Sequence, residues 1–355
     1  MVDQNFWQGK RVFLTGHTGF KGSWLSLWLN SLGAIVKGYA LNPPTNPSLF
    51  IEAKVSSIID SQIGDIRDQE ALHESMTRFN PDILIHMAAQ PLVRHSYDAP
   101  IETYEVNVIG TAKVLEAARS CPNVKAIVNI TTDKCYENDG RSEGYKEDDA
   151  MGGYDPYSSS KGCAELVTSA YRRSFLQDQG VGLASVRAGN VIGGGDWADD
   201  RLIPDILRSF EKNEPVIIRN PKATRPWQHV LEPLSGYLVL AQKMYRDQNK
   251  YAEGWNFGPN EQDVKSVDWI LNKMIAKWPN SSWELDSSSN PHEADFLQLD
   301  ILKAESKLGW KPVWELSRTL EKIIVWHKAW LDKKDMQTVC LSDIKEYIDD
   351  ANNKV

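Results

Sequence analysis

The chain has 355 residues, 41% of them hydrophobic, and a formal net charge of -8. This length and composition can support one large core or two joined cores, and the acidic balance argues against a general nucleic-acid-binding surface. The four cysteines lack metal or redox spacing, and no signal peptide, membrane span or repeat is evident. We therefore predict a protein of the reducing cytoplasm with no metal, nucleic-acid or membrane partner.

The N-terminal segment predicts a strand, a glycine-rich turn and a helix. Residues 10–15 are apolar and of strand type, and residues 23–32 have a helical apolar pattern. In this context the first glycine permits a tight turn, the second lets the backbone approach a pyrophosphate, and the third lets the helix pack on the strand. We predict dinucleotide binding, weakened by a bulky histidine, at Gly16, His17, Gly19, Phe20 and Gly22.

Two further strands are predicted at residues 34–40 and 61–66. The end of the first carries neither the acid that favours NAD nor the arginine that favours NADP, so this landmark does not settle the cofactor. Near the end of the second, Asp65, followed by Ile66, is placed to meet an adenine amino group. The alternative is that Asp65 caps a helix.

The central part of the chain continues the alternation of strands and helices. Residues 83–89 form a buried-type strand that ends in two small residues, Ala88 and Ala89, against which a cofactor can lie. A helical pattern at 101–119 leads to an apolar strand at 124–130. The alternation predicts a doubly wound α/β domain with a parallel sheet. Ligands bind at the carboxyl ends of such strands, where this chain reads Thr131, Thr132, Asp133 and Lys134.

Tyr157 and Lys161 lie four residues apart, so one turn of helix places them on the same face. A fixed cation beside a phenol favours the phenolate and lowers its pKa from about 10. The pair therefore predicts a tyrosine that accepts a proton from an alcohol. The alternative is an ordinary solvated helix face.

The second half predicts a substrate-binding module. An apolar strand at 181–186 precedes a glycine-rich loop, a helix begins at 201–204, and a short strand follows at 215–219. The planar fork of arginine matches the oxygens of a nucleoside diphosphate. We expect this ligand to be held by Asn190, Arg201, Arg219 and Arg225. For Arg219 and Arg225, the alternative is ordinary surface charge.

These patterns divide the chain into three parts. Residues 1–183 are the dinucleotide-binding domain, with a return segment near 224–257, and residues 184–330 are a smaller α/β substrate domain. Residues 331–355 form a charged tail with apolar residues spaced for one or two amphipathic turns.

Together the motifs resemble the extended short-chain dehydrogenase/reductase family, and within it the nucleotide-sugar 4,6-dehydratases, over roughly residues 8–330. The resemblance implies a Rossmann-like fold, NAD as the cofactor and a hydro-lyase activity. It also implies that Thr132, Tyr157 and Lys161 serve the nicotinamide step. The residues implied to line the cofactor are Gly16, Gly19, Gly22, Asp65, Ala88, Ala89 and Asn107, together with Tyr157 and Lys161.

Lys134 is the residue that best distinguishes between branches of the family that act on different nucleotide sugars. Relatives that act on dTDP- and GDP-sugars generally have Glu at this position, and the Lys is similar to the branch that acts on CDP-glucose. Related 4-epimerases generally have no acid at either position, so Asp133 favours dehydration. The alternatives are a dehydratase of another nucleotide sugar, a 4-epimerase, or a non-catalytic NAD-binding sensor.

The resemblance suggests a division of labour. Tyr157 takes the proton of the sugar C4 hydroxyl as hydride leaves C4, with Thr132 bonded to that oxygen, and Asp133 protonates the departing C6 hydroxyl. Lys134 is assigned as the base at C5, which requires its pKa to fall by about 3 units from 10.4. The alternative for Lys134 is electrostatic stabilisation of the enolate.

Three further expectations come from the resemblance. Gln90 stands where the dTDP branch has an acid and is expected to touch the sugar. His292 lies in a segment that often carries an arginine to the pyrophosphate and is a candidate replacement for it. Helices at 101–119 and 156–175 are expected to pair across a homodimer as a four-helix bundle.

Overall fold

The computed structural model describes residues 1–141, 143–286 and 297–354. Within them, the main sheet has seven parallel strands in the order β11-β6-β5-β4-β1-β2-β3. The predicted doubly wound parallel sheet is thereby confirmed. Its strands are β1 (Arg11–Thr15), β2 (Ile35–Ala40), β3 (Asp60–Ile63), β4 (Ile83–His86), β5 (Ala126–Ile130), β6 (Gly182–Arg187) and β11 (Gly254–Asn256).

The central strands are apolar along their length because both faces of the sheet are covered. Every residue of β4, β5 and β6 is buried, as expected for parallel strands under helices on both sides. The chain runs outward from β1 through β2 to β3 and then crosses to β4 on the other side. This reversal creates the crevice at the carboxyl ends of β1 and β4 where ligands bind in open α/β sheets.

Helices cover both faces of the main sheet, and two of them contain π turns. The segment 100–119 runs from a short helix through a π turn, Glu105–Gly110, into a second helix, and the segment 156–176 ends in a π turn, Arg172–Leu176. In order, the helices up to this point are α1 (Gln4–Trp7), α2 (Phe20–Ser31), α3 (Leu49–Glu52), α4 (Gln69–Phe79), α5 (Val93–Asp98), α6 (Pro100–Tyr104), α7 (Thr111–Arg119) and α8 (Pro156–Tyr171).

The second half of the chain builds a separate apolar cluster, which includes Ile206, Phe210, Ile270 and Leu320. Around it lie three two-stranded sheets, β10-β7, β12-β9 and β13-β8. Their strands are β7 (Val191–Ile192), β8 (Val216–Ile218), β9 (Thr224–Pro226), β10 (Gln228–His229), β12 (Val264–Ser266) and β13 (Trp283–Leu285). The remaining helices are α9 (Leu202–Lys212), α10 (Leu231–Arg246), α11 (Gln248–Tyr251), α12 (Val267–Ile275), α13 (Leu316–Leu331) and α14 (Met336–Asn353).

The C-terminal segment is longer and more deeply packed than the predicted one or two turns. Helix α14 buries Met336, Cys340, Ile344 and Tyr347 in the main core. These residues recur every three or four positions, so the helical spacing spans the whole segment. The Tyr347 hydroxyl donates to Oε2 of Glu232 at 2.7 Å, and its ring meets Trp28 of α2 edge-on. The prediction of a short amphipathic tail was wrong, because the charged residues between the apolar positions obscured the spacing.

In the described part of the chain, no helix has the length and apolarity needed to cross a membrane. The same residues contain no group of three or more metal-ligating side chains. All four cysteines are free thiols.

Candidate active site

The segment that follows β5 carries the chemistry-bearing side chains. Thr131 continues the strand, because its N–H donates to Val186 O at 2.8 Å. Thr132 then begins a 3-10 turn, Asp133–Cys135, and its side chain accepts from Lys134 N at 3.3 Å. Both Thr132 and Asp133 are buried. The turn therefore points two polar side chains into the protein at the carboxyl edge of the sheet.

Tyr157 meets this turn from the first turn of α8. The Thr132 side chain is close enough to the phenol to lower its pKa, and the Thr132 hydroxyl donates to Oδ1 of Asp133 at 2.9 Å. The helix begins at Pro156, where Asp155 caps it by accepting from Ser158 N. The structure thus brings Tyr157, Thr132 and Asp133 together. The sequence analysis assigned these three side chains to one site.

The predicted direction of the Tyr157 pKa was wrong. Burial raises the pKa of Tyr157 to about 12, although the Thr132 hydrogen bond lowers it. Burial also lowers the pKa of Lys161 to about 8, and Glu165 opposes that change. The Lys161 amine donates to Ile130 O at 3.3 Å. Removal of the phenol from water costs its charged form more than the Thr132 hydrogen bond and the charge of Arg201 return.

Lys134 differs from the expectation of a desolvated amine. Its backbone belongs to the buried turn, but its side chain is exposed. The burial that was expected to help this amine act as a base is therefore absent at Lys134. Only a substrate that covers the turn could take water away from this amine.

Lys21 is a second lysine at the site and was missed by sequence reasoning. It is the second residue of α2, directly after Phe20. Burial lowers its pKa to about 7, with further lowering by Arg201 and Lys161 and an opposing effect of Asp133. Its place between Gly19 and Gly22 could have identified it. Turns that bind phosphate rely on backbone N–H groups, so a lysine side chain within one is an additional cation.

A buried network supports the site from below. Glu165, one helical turn beyond Lys161, accepts from the guanidinium of Arg187 at 2.9 Å. It also accepts from the hydroxyls of Thr131 at 2.5 Å and Ser185 at 2.6 Å. Arg187 in turn donates to the Tyr136 hydroxyl at 2.5 Å. Because every buried charge in this network has partners, β5, β6 and α8 are fixed to one another.

The glycine turn after β1 has the shape that a pyrophosphate requires. Gly16 has a φ of +77°, and a Cβ there would come 2.7 Å from Ala88 N. At Gly22 a Cβ would overlap Gly16 O. Gly19 caps α2 without a side-chain hydrogen bond, so the first N–H groups of that helix are available to an anion. The residues present therefore fit a dinucleotide.

His17 does not project into this turn. Its ring is buried, its Nε2 is 2.7 Å from Ser61 Oγ, and it meets the Phe50 ring edge-on. Burial lowers the pKa of His17 to about 4. The predicted steric weakening of cofactor binding by this ring was wrong, because the side chain packs into the protein beside Gly38.

Asp65 and Ile66, the residues predicted to meet the adenine, are engaged in local contacts. Asp65 follows β3 and binds the Arg67 guanidinium at 2.7 Å and the Arg67 N–H at 2.8 Å. Ile66 is buried beside Gly110. The Asp65 carboxylate therefore neither caps the helix at 69–79, which Asp68 does, nor projects freely.

Ala88, Ala89 and Gln90 follow β4 and lie next to the glycine turn. Asn107 secures them, because its amide bonds both the Gln90 backbone N–H and C=O, at 2.9 and 3.0 Å, and donates to Ser160 Oγ at 2.9 Å. The Gln90 side chain donates to Leu92 O and Thr103 Oγ1. The Gln90 amide thus fixes its own loop, and its contact with the sugar stays a prediction.

The predicted substrate residues are divided between two places. Asn190 adopts a φ of +47° directly before β7 and next to Gly189, which lies against Asp133, and Arg201 pairs with buried Asp196 at 2.9 Å. Arg201 is close enough to affect the pKa of Tyr157 and of Lys21. Both residues therefore border the catalytic turn.

The other two arginines lie on the small sheets. Arg225 is in β9 and donates to Thr224 O at 2.8 Å. Arg219 follows β8 and approaches Asp286 at 3.9 Å. Nothing in the described structure joins Arg219 to the catalytic turn. His292 lies outside the described residues.

Comparisons with known proteins agree with this geometry. A family model described as GDP-mannose 4,6 dehydratase matches residues 13–323. CDP-glucose 4,6-dehydratase of Salmonella typhimurium is 60% identical over 354 residues, which are 98% of this chain and 99% of the relative. The probable dTDP-glucose 4,6-dehydratase of Sinorhizobium fredii is 27% identical over 335 residues, 89% of this chain and 92% of the relative.

The fold also matches solved structures. The crystal structure of dTDP-glucose 4,6-dehydratase from Bacillus anthracis in complex with NAD has a TM-score of 0.75 and 19% identity, covering 93% of this chain and 100% of that one. The strand order and the glycine turn define a dinucleotide-binding α/β protein. More specifically, the chain belongs to the extended short-chain dehydrogenase/reductase family, among its nucleotide-sugar 4,6-dehydratases.

Proposed function

We propose that this protein is a CDP-D-glucose 4,6-dehydratase, which converts CDP-D-glucose to CDP-4-dehydro-6-deoxy-D-glucose and water. The observation that carries the proposal is the 60% identity to the Salmonella typhimurium enzyme over nearly the full length of both chains. The dTDP-sugar relative reaches only 27%. Such a product is a precursor of deoxysugars, as used in polysaccharides of the O-antigen type.

The cofactor in this proposal is NAD, which accepts a hydride and later returns it. The N–H groups at the start of α2 would hold the pyrophosphate, and the backbone at Ala88 would lie against the dinucleotide. Lys161 is placed next to Tyr157 on α8 and serves the nicotinamide end.

Tyr157 is the proton acceptor for the C4 hydroxyl, with Thr132 as its hydrogen-bonding partner. A buried phenol with a pKa of about 12 needs added positive charge to act near neutral pH. Arg201 already lowers this pKa. The oxidised nicotinamide supplies a further cation when it is bound.

Asp133 is the acid that protonates the departing C6 hydroxyl. It is buried next to Thr132, so it reaches the same sugar as Tyr157. Lys134 is the base that removes the C5 proton, because it is the adjacent residue of the same turn and its side chain is free to fold over a sugar. A substrate that excludes water from this amine favours its neutral form.

The substrate diphosphate is proposed to lie between Asn190 and Arg201 on one side and Arg225 on the other. Arginine forks suit this charge. Arg219 belongs to this set only as an outlying contact, given its exposed position beside Asp286.

We further propose a cytoplasmic homodimer. The four cysteines are free thiols, as in reducing compartments. Segments 100–119 and 156–176 expose large apolar side chains, including Ile101 at 72% and Leu166 at 63%. Exposed apolar residues on two adjacent helices favour association of two copies into a four-helix bundle.

The experiment is incubation of the purified protein and NAD with CDP-, dTDP-, UDP- and GDP-linked hexoses, with product mass and net NADH absorbance measured together. Loss of one water from CDP-glucose without net NADH supports the proposal. A changed sugar of unchanged mass would instead identify an epimerase. Failure to turn over any donor would favour a binding protein.

A further inference from the structure

Gly189, two residues after the end of β6, lies directly against the carboxylate of Asp133. A Cβ on Gly189 would overlap Oδ2 and Cγ of Asp133 and would lie 2.8 Å from Oδ1. These are the three nearest atoms, and real Cβ atoms essentially never come within 3.0 Å of another heavy atom. The space that a side chain would need at this position is therefore taken by one functional group.

The backbone at Gly189 does not itself require glycine. Its φ is not among the positive values that the structure records for other glycines, such as Gly16 and Gly195. Glycine is tolerated at a cost in conformational entropy, so its presence here needs a reason outside the main chain. The only reason that the surroundings offer is the carboxylate.

We propose that Gly189 is a positioning residue, which makes room for the Asp133 carboxylate in the orientation that protonates the leaving hydroxyl. The carboxylate is then fixed from two directions, by the Cα of Gly189 and by the Thr132 hydroxyl at 2.9 Å. The catalytic part of this inference rests on the proposed dehydratase function. The steric part depends only on the structure.

A side chain at residue 189 must displace the carboxylate, since the main chain around it is held. Gly189 O accepts from Gln228 Nε2 at 3.2 Å, and Asn190 O accepts from Gln228 N at 3.2 Å. Two residues earlier, Arg187 O accepts from Phe257 N at 2.9 Å. The end of a short aspartate side chain can rotate more easily than three anchored residues can shift.

The kinetic test is Gly189→Ala. A displacement of about 1 Å in a reacting group can cost on the order of 100-fold in rate, so we expect kcat for water loss to fall by about that factor. Hydride removal from C4 should continue, and bound NADH should accumulate during turnover. Equal slowing of C4 oxidation, with no accumulation of NADH, would overturn the proposal.

Gly258→Ala is the matched control. Gly258 is also buried and follows β11 at the same edge of the sheet, but a Cβ there would meet Ile301 at 3.4 Å, which is an ordinary contact. This variant should retain the activity and the NADH level of the wild type.

A double-mutant cycle with Asp133→Ala separates positioning from other effects. Removal of the carboxylate removes the overlap, so Gly189→Ala should add no further loss in the Asp133→Ala background. A second loss of similar size in that background would mean that residue 189 acts through another group, such as the sugar.

A crystal structure of the Gly189→Ala protein tests the steric part independently of activity. We expect the Asp133 carboxylate to be rotated and the main chain at 187–190 to be unchanged. A carboxylate in its original position with a shifted main chain would refute the inference. Wild-type protein that fails to dehydrate CDP-glucose would instead refute the proposed function, and the crystallographic result would still stand.

Discussion

The Thr132 hydroxyl donates to Oδ1 of Asp133 at 2.9 Å, and the same side chain is close enough to Tyr157 to lower the pKa of its phenol. One small residue therefore lies between the group proposed to accept the C4 hydroxyl proton and the group proposed to protonate the departing C6 hydroxyl. The two halves of the reaction share one buried turn, and substitutions of the two groups should have different kinetic signatures.

Tyr157→Phe is expected to lower kcat by about 100-fold or more, because positioned proton transfer contributes roughly 10²–10⁴-fold. NADH should not accumulate, since loss of the C4 proton acceptor stops the first step. Stopped-flow absorbance with CDP-glucose measures both quantities. Tyr154→Phe, at a fully exposed tyrosine, is the control, and undiminished activity of Tyr157→Phe would remove Tyr157 from its role.

Asp133→Asn is expected to slow water loss by about 100-fold while C4 oxidation continues. The amide retains the shape of the carboxylate but cannot deliver its proton, so bound NADH should rise. Rapid-quench mass spectrometry and NADH absorbance together provide the measurement. Asp148→Asn, at an exposed position, is the control, and an unchanged level of bound NADH in Asp133→Asn would exclude the acid role.

The two lysines at the site should behave differently when each is replaced by methionine. Lys134→Met is expected to block removal of the C5 proton, which can be measured as loss of solvent deuterium incorporation at C5 with C4 oxidation retained. Lys21→Met should retain that exchange. It should also change the pH profile of the reaction around pH 7, because burial lowers the pKa of Lys21 to about 7 and the variant removes this titrating group. Exchange lost in Lys21→Met and kept in Lys134→Met would reverse the assignment.

Glu232 provides a prediction about stability. Burial raises its pKa from 4.5 to about 7, although hydrogen bonds from Trp314 N, the Tyr347 hydroxyl and Val313 N oppose the change. The folded state therefore binds this proton more tightly than the unfolded state does. The resulting stabilisation is fully present below pH 4.5 and is lost as the pH rises through about 7.

Thermal unfolding of the wild type and Glu232→Gln across pH 5 to 8 measures this effect. The wild type should lose stability relative to Glu232→Gln as the pH rises, by at most about 3 kcal/mol. Parallel curves for the two proteins over this pH range would contradict the raised pKa.

Leu166→Glu tests the proposed dimer. A charge on the exposed apolar face of α8 should convert the dimer to a monomer in sedimentation velocity experiments, with the fold retained. Leu302→Glu, at a residue that is also well exposed (65%) but outside the two helical segments, is the control. A Leu166→Glu protein of unchanged mass in solution would place the interface elsewhere.

The parts of the fold that the sequence predicted well depend on local patterns. Apolar runs of strand length, the glycine turn and the four-residue spacing of Tyr157 and Lys161 are each visible within a short window. The resemblance to a family then placed Thr132 and Asp133 beside Tyr157, although they are far apart in the sequence. Their closeness is a consequence of how α8 packs against the turn after β5 and could not come from spacing alone.

The parts that were missed depend on tertiary contacts. The ring of His17 has space in the core only because Gly38 and Ser61 face it. Likewise, the exposure of Lys134 and the proximity of Lys21 to Lys161 and Asp133 follow from the fold around each residue. The packing of α14 depends on contacts with α2 and α10, among them the edge-on contact of Tyr347 with Trp28 and its hydrogen bond to Glu232.

The packing of α14 against α2 also has a consequence for biosynthesis. Helix α2 follows the glycine turn, and the helix that covers it is translated after all the strands of the main sheet. The N-terminal half can therefore form its strands while still on the ribosome, but it exposes Trp28 until the ribosome has released the C-terminal helix. The apolar face of α2 is thus covered only once α14 has been made, and a chain that stops before Met336 would leave Trp28 uncovered.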